Sequence, residues 1–170
     1  MKLFPIPVEP KKSEKPSYGS NDPMEQEIKE LMKYFYRLSP DLSPFWEDHG
    51  VSYDEICKVL LKVDPSIRYV GILDEGKITF RKRADLHSLL NTSENIKSAT
   101  HALMRWQSRR VFAAKFGMPL YALAEYKLIK RVTMQLKGNA MLLVSMDKDA
   151  PHDKIIKKLL KIKEKLIIDI

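Results

Sequence analysis

One cysteine stands among the 170 residues of this chain, at Cys57. That excludes an intramolecular disulfide and any cysteine-rich zinc site. Glycine is scarce, at 6 residues, and neither G-x-G-x-x-G nor G-x-x-x-x-G-K-[ST] occurs. A nucleotide cradle of either kind is therefore missing. His49, His87, His101 and His152 fall on separate stretches with no H-x-x-x-H, H-E-x-x-H or Cys-His spacing, so they read as surface or capping residues rather than metal ligands. No apolar run is long enough to cross a bilayer. Residues 1–8 start apolar, but Pro5 and Pro7 interrupt them and Glu9 turns the segment charged. They lack the unbroken apolar region of a secretory leader, so no signal peptide is expected. With one thiol and no secretory signature, the expected location is a reducing interior, the cytoplasm.

What is present is ordinary in amount and uneven in placement. Hydrophobic residues make 44% and charged residues 31%, which excludes a disordered chain, a collagen and a disulfide scaffold. A mass of 19.8 kDa is one domain with room for an extension. Such a domain buries about two-thirds of its unfolded surface and needs neither metal nor disulfide to fold. The net charge is +8, with pI near 9.4. Residues 1–50 carry −2 and residues 51–170 carry +10, so the excess belongs to the second part. Seven of the ten prolines lie in the first part. The chain divides into a flexible Pro-rich tail (1–22), a helix-and-loop extension (23–50) and an α/β domain (51–170).

Asp22-Pro23 signals a helix start. Ile28, Leu31, Met32 and Phe35 have helical spacing over 24–38, and Ser39-Pro40 ends that helix. The loop over 40–50 carries Phe45 and Trp46 as anchors. Ser52 with Glu55 forms a capping box for a helix to about Val63, whose face is Ile56, Val59, Leu60 and Val63. The period then changes to 2. Residues 67–73 and 78–82 read as a hairpin around Asp74-Glu75-Gly76-Lys77. Thr92 or Ser93 caps a long helix running to about Phe116, with a stripe of Ile96, Thr100, Leu103, Gln107, Val111 and Ala114. Gly117 and Pro119 close it. Strands follow over 120–125, 128–136 and 140–146. The last, Ala-Met-Leu-Leu-Val-Ser-Met, is apolar nearly throughout, as suits a central strand covered on both faces. A final helix from His152 has an apolar seam of Ile155, Leu159, Ile162 and Leu166, with Lys154, Lys157, Lys158, Lys161 and Lys165 on its other side.

From Ser52 onward the order is α-β-β-α-β-β-β-α. It resembles the roadblock dynein light-chain fold of the longin and profilin-like group. The resemblance covers about residues 52–168 and implies one antiparallel five-stranded sheet, ordered 2-1-5-4-3, with 140–146 at its centre. Asp64-Pro65-Ser66-Ile67-Arg68-Tyr69-Val70-Gly71, Gly76-Lys77, Arg109-Arg110, Phe116-Gly117, Tyr121…Glu125-Tyr126-Lys127 and Leu142-Leu143-Val144-Ser145 also resemble a protein family of ammonia-oxidising archaea, which brings no activity to transfer. Roadblock-like proteins typically dimerise by joining sheets and packing their middle helices. They commonly serve as platforms for small Ras-like GTPases, and some regulate GTP hydrolysis. They have no catalytic triad, P-loop or metal site of their own, so the resemblance implies no cofactor.

Few side chains offer chemistry. Cys57 sits among apolar neighbours and reads as structural rather than as a nucleophile. Asp74-Glu75 and Asp147…Asp149 could hold a divalent ion weakly, but turns favour Asp for backbone reasons. The cations are the stronger signal. Arg105, Trp106, Arg109 and Arg110 on the middle helix, with Tyr121, form a candidate partner interface, because Arg is enriched there with Trp and Tyr. Trp106, Phe112 and Phe116 also read as core by their helical spacing. Arg81, Lys82, Arg83, Lys127, Lys130 and Arg131 form a candidate basic patch for phosphate backbones. The expected function is a non-enzymatic regulatory or scaffolding module: a homodimer with a small GTPase as partner. The alternatives are a basic electrostatic binder of nucleic acid and a small-molecule sensor. A sensor needs polar side chains facing inward from apolar strands, and Thr79, Thr133 and Ser145 are the ones available.

Overall fold

The computed structural model describes residues 52–136 and 138–168, with side chains through Glu164, together with Pro23 and Gln26, which are helical. The expectations for the tail at 1–22 and the rest of the extension at 23–50 lie outside the described residues.

Ser52 caps α1 (Tyr53–Leu61), its hydroxyl accepting from the Glu55 N–H at 3.3 Å. The spacing of Ile56, Cys57, Val59 and Leu60 buries one face of that helix. Strands β1 (Ile67–Asp74) and β2 (Lys77–Lys82) form the hairpin. Its two-residue loop needs positive φ at both positions, as in primed turns, and Glu75 (45°) and Gly76 (78°) supply it. Helix α2 (Thr92–Arg110) is followed by the short α3 (Ala113–Phe116), β3 (Ala122–Glu125), β4 (Ile129–Gln135), β5 (Met141–Asp147) and α4 (His152–Ile168). The strands make one antiparallel sheet in the order β2-β1-β5-β4-β3. Fold class and strand order are as expected, and β5 is the central strand, buried over Met141–Met146.

Each face of the sheet has its own cover. On the first, α1 and α4 pack on Val70, Ile72, Val132, Met134, Leu142, Val144 and Met146. On the second, α2 packs on Leu73, Met141 and Leu143.

Helix α2 departs from expectation in three ways. Asn91 is the cap, not Thr92 or Ser93, and it forms a reciprocal capping box with Glu94. The helix ends at Arg110, and a turn separates it from α3. Its buried side chains are Ala99, Ala102 and Trp106, a face rotated by one residue, about 100°, from the expected stripe. The alanines let the helix approach the sheet closely, and Trp106 supplies the bulk. Ile96 and Val111 are left exposed.

Helix α4 corrects the reading of a solvated lysine side. Lys158 is 2% exposed, and its Nζ donates to the Val63 carbonyl at 3.4 Å. It lies between Ile155 and Leu159 on the buried face, so its stem packs while its ammonium reaches a backbone acceptor.

Candidate functional site

Strand register assembles the site. The pairs Tyr69↔Lys82, Tyr69↔Ser145, Arg131↔Ser145 and Ala124↔Arg131 set Lys82, Tyr69, Ser145, Arg131 and Ala124 in one row across all five strands. Alternation puts this row on the second face with Leu73 and Leu143. A bulge in β1 between Ile67 and Tyr69 makes Arg68 the extra residue beside the row. The N-terminal half of α2 and residues 86–90 stand over it. Between them lies a cavity of about 670 Å³, whose apolar walls include Leu86, Leu89, Leu90, Leu128 and Ile129.

The cavity is strongly cationic. Arg68, Lys82, Lys97, Arg105, Lys127 and Arg131 line it, against the single carboxylate of Glu94. Glu94 is already engaged with the Asn91 N–H at 2.8 Å. Arg131 donates to the Ser98 hydroxyl, and Lys82 donates to the Leu86 carbonyl at 3.1 Å. Arg68 instead pairs with Asp147 at 2.7 Å. Burial pushes the Asp147 carboxyl up, but the hydrogen bonds from Arg68 and Arg83 outweigh that and hold it below the usual carboxylate range.

Tyr69 is the unusual wall residue. Its ring stacks on Phe80, with centroids 5.5 Å apart, and lies over Gly71. A Cβ at Gly71 would stand 2.8 Å from the Tyr69 hydroxyl, so any side chain there would have to displace the stacked Tyr69 ring. The hydroxyl is buried and has no hydrogen-bond partner among the described residues. Such an unmet group costs about 1–3 kcal/mol. Burial, and then the nearby Cys57, push the Tyr69 phenol up to about 12, while Arg131 acts in the other direction.

Beside the cavity runs an apolar edge. Met104, Val111, Phe112, Phe116, Met118, Leu120 and Leu123 are all exposed around the end of α2, α3 and β3. Strand β3 is the sheet's edge, paired with β4 alone among the described residues. Arg105 and Arg109 flank a small cleft with Ala122, Ala124 and Thr133.

The residues singled out in the sequence are sorted by this geometry. Of the interface group, Arg105, Arg109 and Tyr121 are exposed and Arg110 is half-buried. Trp106 is 1% exposed, and its indole N–H donates to Gln135 at 3.2 Å. That corrects its placement at an interface: it belongs to the core. Phe112 and Phe116 correct the opposite reading, being exposed and stacked on each other with centroids 5.8 Å apart. The basic patch does not form as one surface. Arg81 pairs with Asp54, on the first face. Arg83 pairs with Asp85 at 2.8 Å and Asp147 at 3.2 Å. Lys130 is buried on the first face, its Nζ reaching the Ala150 carbonyl at 3.3 Å and His152 Nδ1 at 3.1 Å. Only Lys82, Lys127 and Arg131 converge, on the cavity. The physical reason is alternation: neighbours on a strand point to opposite faces.

Cys57 is fully buried, its thiol near the Thr79 carbonyl at 3.7 Å and pushed up to about 12 by burial. Asp74 accepts the Tyr53 hydroxyl at 2.6 Å, and burial followed by that bond pushes the Tyr53 phenol to about 12. No group of three or more His, Cys, Asp or Glu is placed to hold a metal among the described residues. No described helix is long and apolar enough to cross a membrane. Of the inward polar trio, Ser145 lines the cavity, Thr133 lines the small cleft, and Thr79 lines neither. The sequence reading missed Tyr69, Ser98 and His101 as wall residues. The available signal was Tyr69 two positions before Gly71 in β1.

No protein-family model matches the chain, and no curated protein matches it. Solved structures do match in shape. A Roadblock/LC7 domain from Streptomyces avermitilis is 12% identical, covering 68% of this chain and 95% of its own, with a TM-score of 0.55. MglB from Myxococcus xanthus is 11% identical, covering 71% and 96%, with a TM-score of 0.57. A structure described as MglB with a tetrameric arrangement is 13% identical, covering 68% and 85%, with a TM-score of 0.56. The fold of residues 52–168 is roadblock-like.

Proposed function

We propose that this chain is a non-enzymatic regulatory or scaffolding module of the cytoplasm, acting through protein–protein contacts and first with a second copy of itself. One observation carries the reading: the β3 edge, unpaired among the described residues, lies in the same region as exposed Met104, Phe112, Phe116, Leu120 and Leu123. A contiguous apolar patch on a soluble domain marks a contact site. An edge strand offers unpaired N–H and C=O groups to another strand. Arg105, Arg109 and Tyr121 border this surface and supply polar contacts around it. The tetrameric arrangement belongs to that MglB structure; it supports self-association here. A small GTPase is the further partner that the fold resemblance implies. A nucleic-acid role has less support, because Arg81 and Arg83 are paired with carboxylates and Lys130 is buried.

Light scattering on the full chain tests the first step. The expected mass is twice 19.8 kDa. Phe116→Asp or Leu120→Lys, both at exposed positions, should return the monomer without lowering stability. Arg105→Glu with Arg109→Glu should weaken the dimer or the capture of a GTPase. A wild-type protein that stays monomeric at high concentration overturns the reading.

A further inference from the structure

We propose that the cavity between α2 and the second sheet face binds a small amphipathic anion. Lys82 and Arg131 would hold a carboxylate or phosphate head, and Leu86, Leu89 and Leu128 would cover an apolar body.

Three observations converge on this. The volume, about 670 Å³, is that of a small-molecule site and far exceeds a packing defect. The charge is mostly positive, six cations against Glu94, and neither Lys82 nor Arg131 has an ion-pair partner among the described residues, whereas Arg68, Arg81 and Arg83 each have a carboxylate. The two cations stand in one cross-strand row with Ser145 and Tyr69 between them, so donors are pre-set on rigid strands rather than on loops. Apolar walls complete the pattern of a ligand site, mostly hydrophobic with a few convergent polar groups. A bare inorganic ion would leave those walls unused, and a neutral lipid would leave the cations unpaired.

The site adjoins the apolar edge and shares Arg105 and Arg131 with the small cleft there, but none of Met104, Phe112, Phe116 and Leu120 lines it. Loss of dimerisation therefore leaves the cavity in place, and light scattering run beside the binding assay separates the two readings.

Isothermal titration and native mass spectrometry of the full chain provide the test. The probes are decanoate, decyl phosphate, decanol and inorganic phosphate. One equivalent of decanoate or decyl phosphate should bind, at least tenfold more tightly than decanol or inorganic phosphate. Whichever of the two binds tighter identifies a carboxylate or a phosphate ester as the natural head. K82Q and R131Q should weaken both anions at least tenfold and leave decanol unchanged. Leu128→Asp, at an exposed position, should weaken them through the apolar body. If R131Q fails to fold, K82Q and Leu128→Asp carry the result. The proposal is overturned if no probe binds, if decanol matches decanoate, if inorganic phosphate matches decyl phosphate, or if K82Q leaves the affinities unchanged.

Discussion

The two faces of the sheet are filled to different degrees. Among the described residues, α1 and α4 seal eighteen buried residues into one cluster on the first face, whereas α2 shares a cluster of only six on the second, beside the cavity. One helix is too narrow to cover five strands, because a helix with its side chains spans about 10–12 Å and strands repeat about every 4.8 Å. The uncovered surface becomes the cavity, with the apolar β3 edge beside it. The first face carries most of the described core, and the second carries the cavity and the apolar edge.

The largest expected effect is at the anchor of the thin side. Trp106→Ala should cost about 3–5 kcal/mol in urea unfolding, with helical signal lost below the main transition as α2 frees itself. A loss under about 1 kcal/mol would mean that the exposed stripe, not Trp106, secures the helix. On the sealed side, Leu142→Ala should cost about 2–5 kcal/mol with no separate early transition. Two transitions there would make the faces alike.

Smaller changes probe the cavity wall. Gly71→Ala places a methyl against Tyr69 and should cost about 1–3 kcal/mol. Tyr69→Phe removes a buried hydroxyl without a partner, so stability should stay level or rise by about 1 kcal/mol. A clear loss would mean that the hydroxyl is satisfied.

The smallest expected effect is electrostatic. Asp147 is held below the carboxylate range, so its stabilisation is complete above the unfolded value, about 3.9, and is lost as pH falls through the lower folded value. Asp54 is likewise lowered, by hydrogen bonds from Lys58 and then Arg81, and titrates in the same direction. Unfolding midpoints should therefore drop between about pH 5 and pH 2. Asp147→Asn should flatten that slope and cost at most about 1 kcal/mol at neutral pH, since the group is partly exposed. A wild-type midpoint that is flat across this range would leave the Arg68 and Arg83 pairs without net effect.

Element order, the hairpin and the central β5 were legible in the sequence because they are local signals: periodicity, caps and turns. Ser52 was read correctly as a cap because its Glu partner lies three residues on. Asn91 has the same spacing to Glu94 and was passed over for Thr92 and Ser93, its hydroxyl-bearing neighbours. The buried face of α2 was misplaced because size was weighed above fit. Large Ile96 and Val111 attracted the assignment, while small Ala99 and Ala102 do the packing. Lys130 and Lys158 were read by charge alone, although each stem is long enough to lie in the core and deliver its ammonium to a carbonyl. The cavity was not legible at all. Lys82, Tyr69, Ser145 and Arg131 become neighbours only through the register of four strands, and register between distant segments leaves no local mark.

The β3 edge has a consequence for how the protein must be made. It spans only four residues, Ala122–Glu125, with leucine, tyrosine and phenylalanine exposed nearby. So short a ladder is a poor template for stacking many chains, which limits fibre growth. The apolar skin around it has no such limit. While that skin is uncovered it favours non-specific association, so the yield of folded protein should fall as expression level rises, and Phe116→Asp should recover it.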